Sequence, residues 1–311
     1  MERALYLLPA VYLISFIFTF SSNKYKEIEY LEYRDDSTIT HESRYGIEDT
    51  NIVFTADDVK IFNRLVNEYQ DNKTDIPDKD IILWVANHFK NKEYTSCTLE
   101  SDLENKLIVN LREFDCVTFV ESVMAISICL KDGKNTFSDY ARILQNLRYR
   151  KGIMNFFPSR LHYFTDWILN AQEQGFVNDY TLQIDSIPYT KEINYMTSHS
   201  DKYPKLQNNE SFVEKMKKIE ESLSSKIFYY LPKDKISDYS QFIENGDILV
   251  VTTNIKGLDV AHVGFAVKKD GDLYFLHASS QKKMVVLTEW PIQEYMQPKS
   301  FQTGLMVIRP K

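Results

Sequence analysis

The chain has 311 residues, of which 43% are hydrophobic and 26% are charged, and this composition excludes collagen-like, disordered and polytopic membrane proteins. The 37 basic and 44 acidic side chains leave a net charge of −7, which offers no basic surface to nucleic acid. We therefore expect a folded protein of one large or two ordinary domains that does not bind nucleic acid.

The N-terminal segment has the pattern of a secretory signal, because residues 4–20 carry no charge and follow a short polar start. This stretch is at the short edge of what spans a bilayer, so segment 1–22 is predicted to be a cleaved signal peptide or an N-terminal anchor. Residues 23–51 are polar with little periodicity and are predicted to tether a domain over 52–311. The protein is expected to be exported, either free in the periplasm or anchored to the inner membrane, and to associate with a membrane only through this segment.

Apolar side chains at helical spacing predict helices over 57–69 and 80–89, then an extended run over 107–111 and a helix from Cys116 onward. Asp115 is the predicted N-cap of that helix. Runs rich in β-branched and aromatic residues predict strands in the C-terminal third, over 247–252, 262–267, 273–277, 285–287 and 305–308. Helices followed by antiparallel strands indicate an α+β fold.

Three cysteines are too few for a disulfide scaffold, and their odd number leaves at least one thiol free. Cys116 and Cys129, if they share a helix, lie about 20 Å apart and cannot form a disulfide. Cys116 falls in the first turn, where unpaired N–H groups and the helix dipole favour a thiolate, so it is the candidate nucleophile. The alternative is a small buried apolar residue, which is how we interpret Cys129.

Two histidines of the predicted strands are candidates for the base. If Asp270 and Gly271 form a two-residue turn, His262 and His277 are diagonal neighbours on one face of the hairpin. A three-residue loop would place the two rings on opposite faces. In the first geometry His262 is the base and His277 orients it and fixes its tautomer.

Other signatures of catalytic or binding sites are missing from the sequence. There is no HExxH, CxxC or HxH spacing for a metal, and no GxSxG, GxGxxG or P-loop pattern. We therefore expect neither a metal nor another cofactor.

Several separated segments resemble the NlpC-type papain-like cysteine peptidase superfamily of bacterial cell-wall hydrolases. The match is closest to its N-acetylmuramoyl-L-alanine amidase branch and runs from about residue 55 to the C-terminus. The segments that carry it are 98–100, 115–121, 159–167, 194–199, 246–248, 257–264 and 277–280. The resemblance implies a papain-like core with N-terminal helices, in which the nucleophile at a helix N-terminus packs on an antiparallel sheet.

The resemblance also implies roles for individual residues. Cys116 becomes the nucleophile, His262 the base and His277 the orienting third residue, in agreement with the hairpin argument. Tyr94 matches a tyrosine whose hydroxyl helps the Cys116 N–H stabilise the oxyanion. The chain departs from the family pattern nearby, with Glu93 and Cys97 where the family has proline and glycine.

Two further segments mix aromatic, hydroxyl and amide side chains, a composition suited to a sugar-peptide ligand or to a buried polar seam. In the branch that the chain resembles, they shape a groove for the muramoyl group. The candidate substrate-binding residues are Ser159, Arg160, His162, Tyr163, Trp167, Asn194 and His199.

The predicted function is a cysteine amidase that cleaves the bond between the lactyl group of N-acetylmuramic acid and L-alanine in peptidoglycan fragments. The resemblance implies anhydro-muropeptides as the favoured substrates. One alternative is an endopeptidase for the γ-D-glutamyl–diaminopimelate bond. Others are a non-catalytic cell-wall binding protein and an acyltransferase that uses the same thiolate.

Overall fold

The computed structural model describes residues 51–100, 103 and 105–311. The predicted signal or anchor and nearly all of the predicted tether lie outside these residues. Among the described residues no helix has both the length and the apolar character needed to cross a membrane.

Nine α-helices lie within the described residues, and α3 is the one that begins at the candidate nucleophile. They are α1 (Ala56–Asn72), α2 (Ile81–His88), α3 (Cys116–Lys131), α4 (Phe137–Arg148), α5 (Phe164–Glu173), α6 (Tyr195–Ser198), α7 (Glu210–Ser224), α8 (Ile236–Tyr239) and α9 (Ile292–Met296).

Twelve strands accompany them in the same part of the chain. They are β1 (Ile52–Val53), β2 (Glu93–Tyr94), β3 (Leu107–Ile108), β4 (Glu113–Phe114), β5 (Val177–Asp179), β6 (Ile187–Tyr189), β7 (Phe228–Pro232), β8 (Ile248–Thr253), β9 (Val260–Lys269), β10 (Asp272–Ser279), β11 (Met284–Leu287) and β12 (Gln302–Pro310).

A mostly antiparallel sheet forms the centre of the fold, in the order β4-β2-β11-β10-β9-β8-β12-β7-β6, with β5 paired to β12. Strands β1 and β3 form a separate parallel pair. Both faces of the central strands are buried, because alternate residues of β8 belong to two different apolar clusters. The structure confirms the predicted α+β fold, and each of the five predicted C-terminal strands is present.

Helix α3 packs on one face of this sheet. Phe119 of α3 meets Phe265 of β9 edge to face, with the ring centroids 5.6 Å apart. The helix is buried around almost its whole circumference, which explains why its sequence is apolar on every side. A buried ion pair fixes it to α4, since Arg148 Nε lies 2.7 Å from Glu121 Oε2.

The opposite face of the sheet is covered by the C-terminal elements, including α9. Ala266 of β9 and Phe275 of β10 lie in the apolar cluster of this face, and Tyr295 of α9 packs against it. His262 shares the strand parity of Ala266, and His277 shares that of Phe275. The two histidines therefore lie on the α9 side of the sheet. The body of α3 packs on the other side, and its first residue, Cys116, lies next to Val263 of β9 and Tyr295 of α9.

Candidate active site

Cys116 is the first residue of α3, and its position is set by the cap of that helix. The Asp115 carboxylate accepts a hydrogen bond from the Thr118 N–H at 2.8 Å, and the Thr118 hydroxyl accepts one from the Asp115 N–H at 3.0 Å. This reciprocal capping box confirms Asp115 as the N-cap and fixes the chain direction at the nucleophile. Only 2% of Cys116 is exposed.

The Cys116 thiol experiences opposing electrostatic effects. Burial raises its pKa well above the usual value, and the neighbouring Asp115 carboxylate raises it further. The backbone N–H groups of Val263, Cys116 and Val117 act in the opposite direction. The helix start thus favours the thiolate as expected, but burial outweighs it, and the resting nucleophile is a protonated thiol.

The predicted contact between the two histidines is present. Asp270 and Gly271 both have positive φ, 54° and 91°, and form the two-residue turn, so that Lys269 pairs with Asp272. His262 Nε2 and His277 Nδ1 are joined by a hydrogen bond of 2.6 Å. The ring planes are nearly perpendicular, with the centroids 4.7 Å apart.

Both imidazoles are neutral at physiological pH. Burial and the positive charge of Lys299 lower the pKa of His262 to about 3. Burial, His262 and Lys299 together hold the pKa of His277 well below its usual range. The Val263 N–H that faces the Cys116 sulfur belongs to the residue after His262, so the thiol lies beside the strand that carries this pair.

Two tyrosines flank the thiol. Burial is the main cause that raises the pKa of Tyr94 on β2, and the neighbouring Cys116 contributes next. Burial and then Cys116 raise the pKa of Tyr295 to about 12, and the Tyr295 ring lies 5.5 Å from that of His277. No motif in the sequence points to Tyr295 or Lys299, because the five-residue helix α9 and the residues after it show no distinct pattern.

The candidate substrate-binding residues divide by burial. Ser159, Arg160, His162, Asn194 and His199 are partly exposed. Trp167 is fully buried and stacks on Phe164 at 4.8 Å, and Tyr163 is 2% exposed. The prediction that Trp167 and Tyr163 line a groove is therefore wrong, because neither ring has a surface for a ligand.

Most of the partly exposed candidates are held by hydrogen bonds within the protein. Ser159 donates to the Phe156 carbonyl at 2.8 Å, and Asn194 donates to Glu192 at 2.9 Å. One ring nitrogen of His162 lies 2.8 Å from the Phe157 carbonyl, and one of His199 lies 2.8 Å from the Tyr195 carbonyl. Burial lowers the pKa of His162 well below its usual value.

The segments that resemble the family are joined to one another by polar contacts. Arg160 pairs with Glu100 at 2.5 Å, which connects segment 159–167 to segment 98–100. The Tyr163 hydroxyl donates to Glu220 at 2.6 Å and accepts from the Met196 N–H at 2.9 Å, which connects it to segment 194–199. Asp259, in the loop before β9, accepts from both the N–H and the hydroxyl of Thr165. These contacts join the segments into a polar network that is buried at Tyr163, Thr165, Glu220 and Asp259.

Cys97 is the site of one departure from the family pattern. Its φ is 62°, a left-handed conformation in which glycine is free of strain, and the family has glycine there. The three cysteines are all free. Within residues 51–100, 103 and 105–311, no group of three or more side chains is arranged to hold a metal ion.

A small surface cleft lies beside the Arg160–Glu100 pair and is lined in part by Tyr149 and Phe157. Of the candidate substrate-binding residues, only Arg160 lines it. Neither the thiol nor the histidine pair lines it.

A family model described as AmiA-like, N-acetylmuramoyl-L-alanine amidase-like, matches residues 84–304. The chain belongs to this AmiA-like family. The match contains Tyr94, Cys116, His262, His277 and Tyr295, and the family description indicates an amidase-like function.

Solved structures agree with this assignment. An N-acetylmuramoyl-L-alanine amidase from Bacteroides uniformis is 40% identical, with a TM-score of 0.72 over 75% of this chain and 99% of its own. A candidate xylanase from Bacteroides fragilis is 39% identical, with a TM-score of 0.70 over 73% of this chain and 99% of its own. A Legionella pneumophila protein at 18% identity and a TM-score of 0.60 over 83% of this chain and 97% of its own shares the fold. No curated protein matches the sequence.

Proposed function

We propose that this protein is an exported cysteine amidase of the NlpC-type superfamily, which cleaves the lactyl–L-alanine amide of peptidoglycan fragments, with anhydro-muropeptides as substrates. The observation that carries the proposal is the 2.6 Å contact between His262 and His277, on the strand pair that lies against the capped helix start of Cys116. Export is included because of the uncharged stretch 4–20.

The histidine pair supplies a base through one particular tautomer. In neutral His262 with its proton on Nε2, that N–H donates to His277 Nδ1, and His262 Nδ1 carries the lone pair that can accept a proton. The Cys116 thiol gives its proton to this nitrogen as the sulfur attacks the lactyl carbonyl carbon. The imidazolium that forms is stabilised by its hydrogen bond to neutral His277.

The remaining steps return the site to its starting state. The Tyr94 hydroxyl and the Cys116 N–H stabilise the oxyanion of the tetrahedral intermediate. Collapse of that intermediate breaks the C–N bond, and His262 protonates the departing L-alanine amine. A water molecule then loses a proton to His262, attacks the thioester carbonyl and releases the lactyl carboxylate and the thiol.

The resemblance to a candidate xylanase does not change this proposal. A glycosidase requires two available carboxyl groups on either side of the scissile bond. The two buried carboxylates of α3 and its cap do not form such a pair, because Asp115 caps the helix and Glu121 pairs with Arg148.

Mass spectrometry of an anhydro-disaccharide tetrapeptide incubated with the protein tests the proposal. We expect free disaccharide and intact stem peptide, with the rate lowered by at least about 10³-fold in Cys116→Ala. Cys129→Ala is the matched control, because it removes a buried thiol from the same helix and is expected to keep activity.

Other products would refute the proposal in distinct ways. Fragments cut after D-glutamate would identify an endopeptidase with the same machinery. Binding of the muropeptide without any cleavage would identify a cell-wall binding protein. Equal cleavage by wild type and Cys116→Ala would exclude Cys116 as the nucleophile.

A further inference from the structure

Lys299 carries a half-buried positive charge that the proposed mechanism does not use. Its Nζ donates to the Tyr295 carbonyl at 2.9 Å and lies 3.0 Å from the centroid of the Tyr295 ring. In the part of the chain that the structure describes, no carboxylate forms an ion pair with it. A cation that is partly removed from water is costly without an anion nearby.

This charge lies close to the reacting groups. It acts on both histidines of the pair, and its aromatic neighbour Tyr295 is within 5.5 Å of the His277 ring and is affected by Cys116. Burial lowers the pKa of Lys299 to about 8, so the ammonium is still mostly protonated at neutral pH. An anionic group on a bound substrate would therefore be attracted to this corner of the site.

We propose that Lys299, held over Tyr295 beside the His262–His277 pair, binds the free carboxylate of the second stem-peptide residue and thereby selects anionic muropeptides. The inference rests on the proposed function. The anhydro-sugar carries no charge, and its lactyl carboxyl forms the scissile amide. The free carboxylates of the substrate are therefore on the peptide. The nearest of them is on the D-glutamyl residue, one residue beyond the leaving amine and about 7 Å from the scissile bond at the reach of an extended chain.

Charge balance supports the same assignment. The chain has a net charge of −7 and would repel an anionic stem peptide in the absence of a local cation. The Tyr295 ring contacts the Lys299 ammonium through a cation–π interaction, which restricts the ammonium to one position. A restricted ammonium loses less conformational entropy when it binds a carboxylate.

The test uses two anhydro-muramoyl tripeptides that differ only at the second residue, D-glutamate in one and its α-amide, D-isoglutamine, in the other. We expect the wild type to have about 10-fold higher kcat/KM for the carboxylate substrate, as charge-assisted hydrogen bonds allow. Lys299→Gln should lose that preference by slowing only the carboxylate substrate, and Lys299→Arg should retain most of it. Lys283→Gln is the matched control, because it removes an exposed cation that lies 5.8 Å from the Tyr94 ring and should keep the preference.

Every other outcome contradicts either the inference or the proposed function. A wild type that cleaves both substrates equally well, or a Lys299→Gln variant that slows both by the same factor, overturns the inference and leaves the amidase in place. A wild type that cleaves neither substrate overturns the proposed function itself. Loss of preference in Lys283→Gln alone would move the anion site to the Tyr94 side and overturn the inference as well.

Discussion

Gly264 of β9 allows the close approach of strands that places His277 beside His262, and a methyl group there should damage the site more than the fold. A Cβ built on Gly264 would lie 2.6 Å from the Leu276 carbonyl oxygen and 2.8 Å from both His277 Cβ and Phe275 Cε2. Ordinary contacts begin near 3.4 Å, so Gly264→Ala must push β9 and β10 apart by about 0.8 Å.

The displacement occurs where the two imidazoles share a hydrogen bond of 2.6 Å. An added separation of that size would lengthen the bond beyond the usual hydrogen-bond distance. Overpacking of this kind costs about 1–3 kcal/mol of unfolding free energy. A misplacement approaching 1 Å costs about 10²-fold in rate. We therefore expect Gly264→Ala to remain folded in urea titrations but to lose about 10²-fold in kcat/KM for muropeptide cleavage.

Gly133 provides the control, because it lies just beyond the other end of α3 with φ +69° and nothing within 4 Å of its added Cβ. Gly133→Ala should lose about 1 kcal/mol through backbone strain and keep its kcat/KM. If Gly264→Ala kept wild-type activity at a similar loss of stability, the argument that strand spacing positions the histidine pair would fail.

Two further predictions concern stability. Arg148→Met should lower the unfolding free energy by about 3–5 kcal/mol, because it leaves the buried Glu121 carboxylate without its partner. The double variant with Glu121→Leu should recover much of that loss. Additive losses of the two single variants in urea titrations would contradict this. The neutral histidine pair should make the fold acid-sensitive: both rings take up a proton on unfolding below their unfolded pKa of about 6.5, so stability is lost as the pH falls from there toward 3. The unfolding free energy should fall by about 1.4 kcal/mol per pH unit for each histidine. This part of the pH dependence should be absent from a His262→Phe/His277→Leu variant.

The sequence could predict the features of this site that depend on local periodicity. Alternation along 262–267 and 273–277, with a two-residue turn of positive φ, determines which side chains share a face, and the His262–His277 contact follows from it. The capping box depends only on Asp115 and Thr118, which are three residues apart.

Other features depend on tertiary packing and could not be predicted from these patterns. Tyr295 and Lys299 reach the site because the chain after β11 folds back over the sheet, and no periodicity in a five-residue helix indicates that path. Tyr163 and Trp167 have a composition that fits a ligand groove and a buried seam equally well, and only their burial distinguishes the two. The net burial of the thiol likewise depends on elements far apart in sequence.

The protonated resting thiol leads to a final prediction about reactivity. Burial raises the pKa of Cys97 and holds that of Cys116 well above its usual value, so the free enzyme contains little Cys116 thiolate. Because Cys97 is exposed and Cys116 is only 2% exposed, iodoacetamide should reach Cys97 first. Mass spectrometry of peptides after timed alkylation at neutral pH would give the order, with Cys97→Ser removing the early product. Alkylation of Cys116 ahead of Cys97 would show a preformed thiolate–imidazolium pair and contradict the neutral pair on which the general-base mechanism rests. In the neutral pair, charge separates only when a substrate carbonyl is in position to receive the sulfur, so the energetic cost of forming the thiolate is met during attack and not before it.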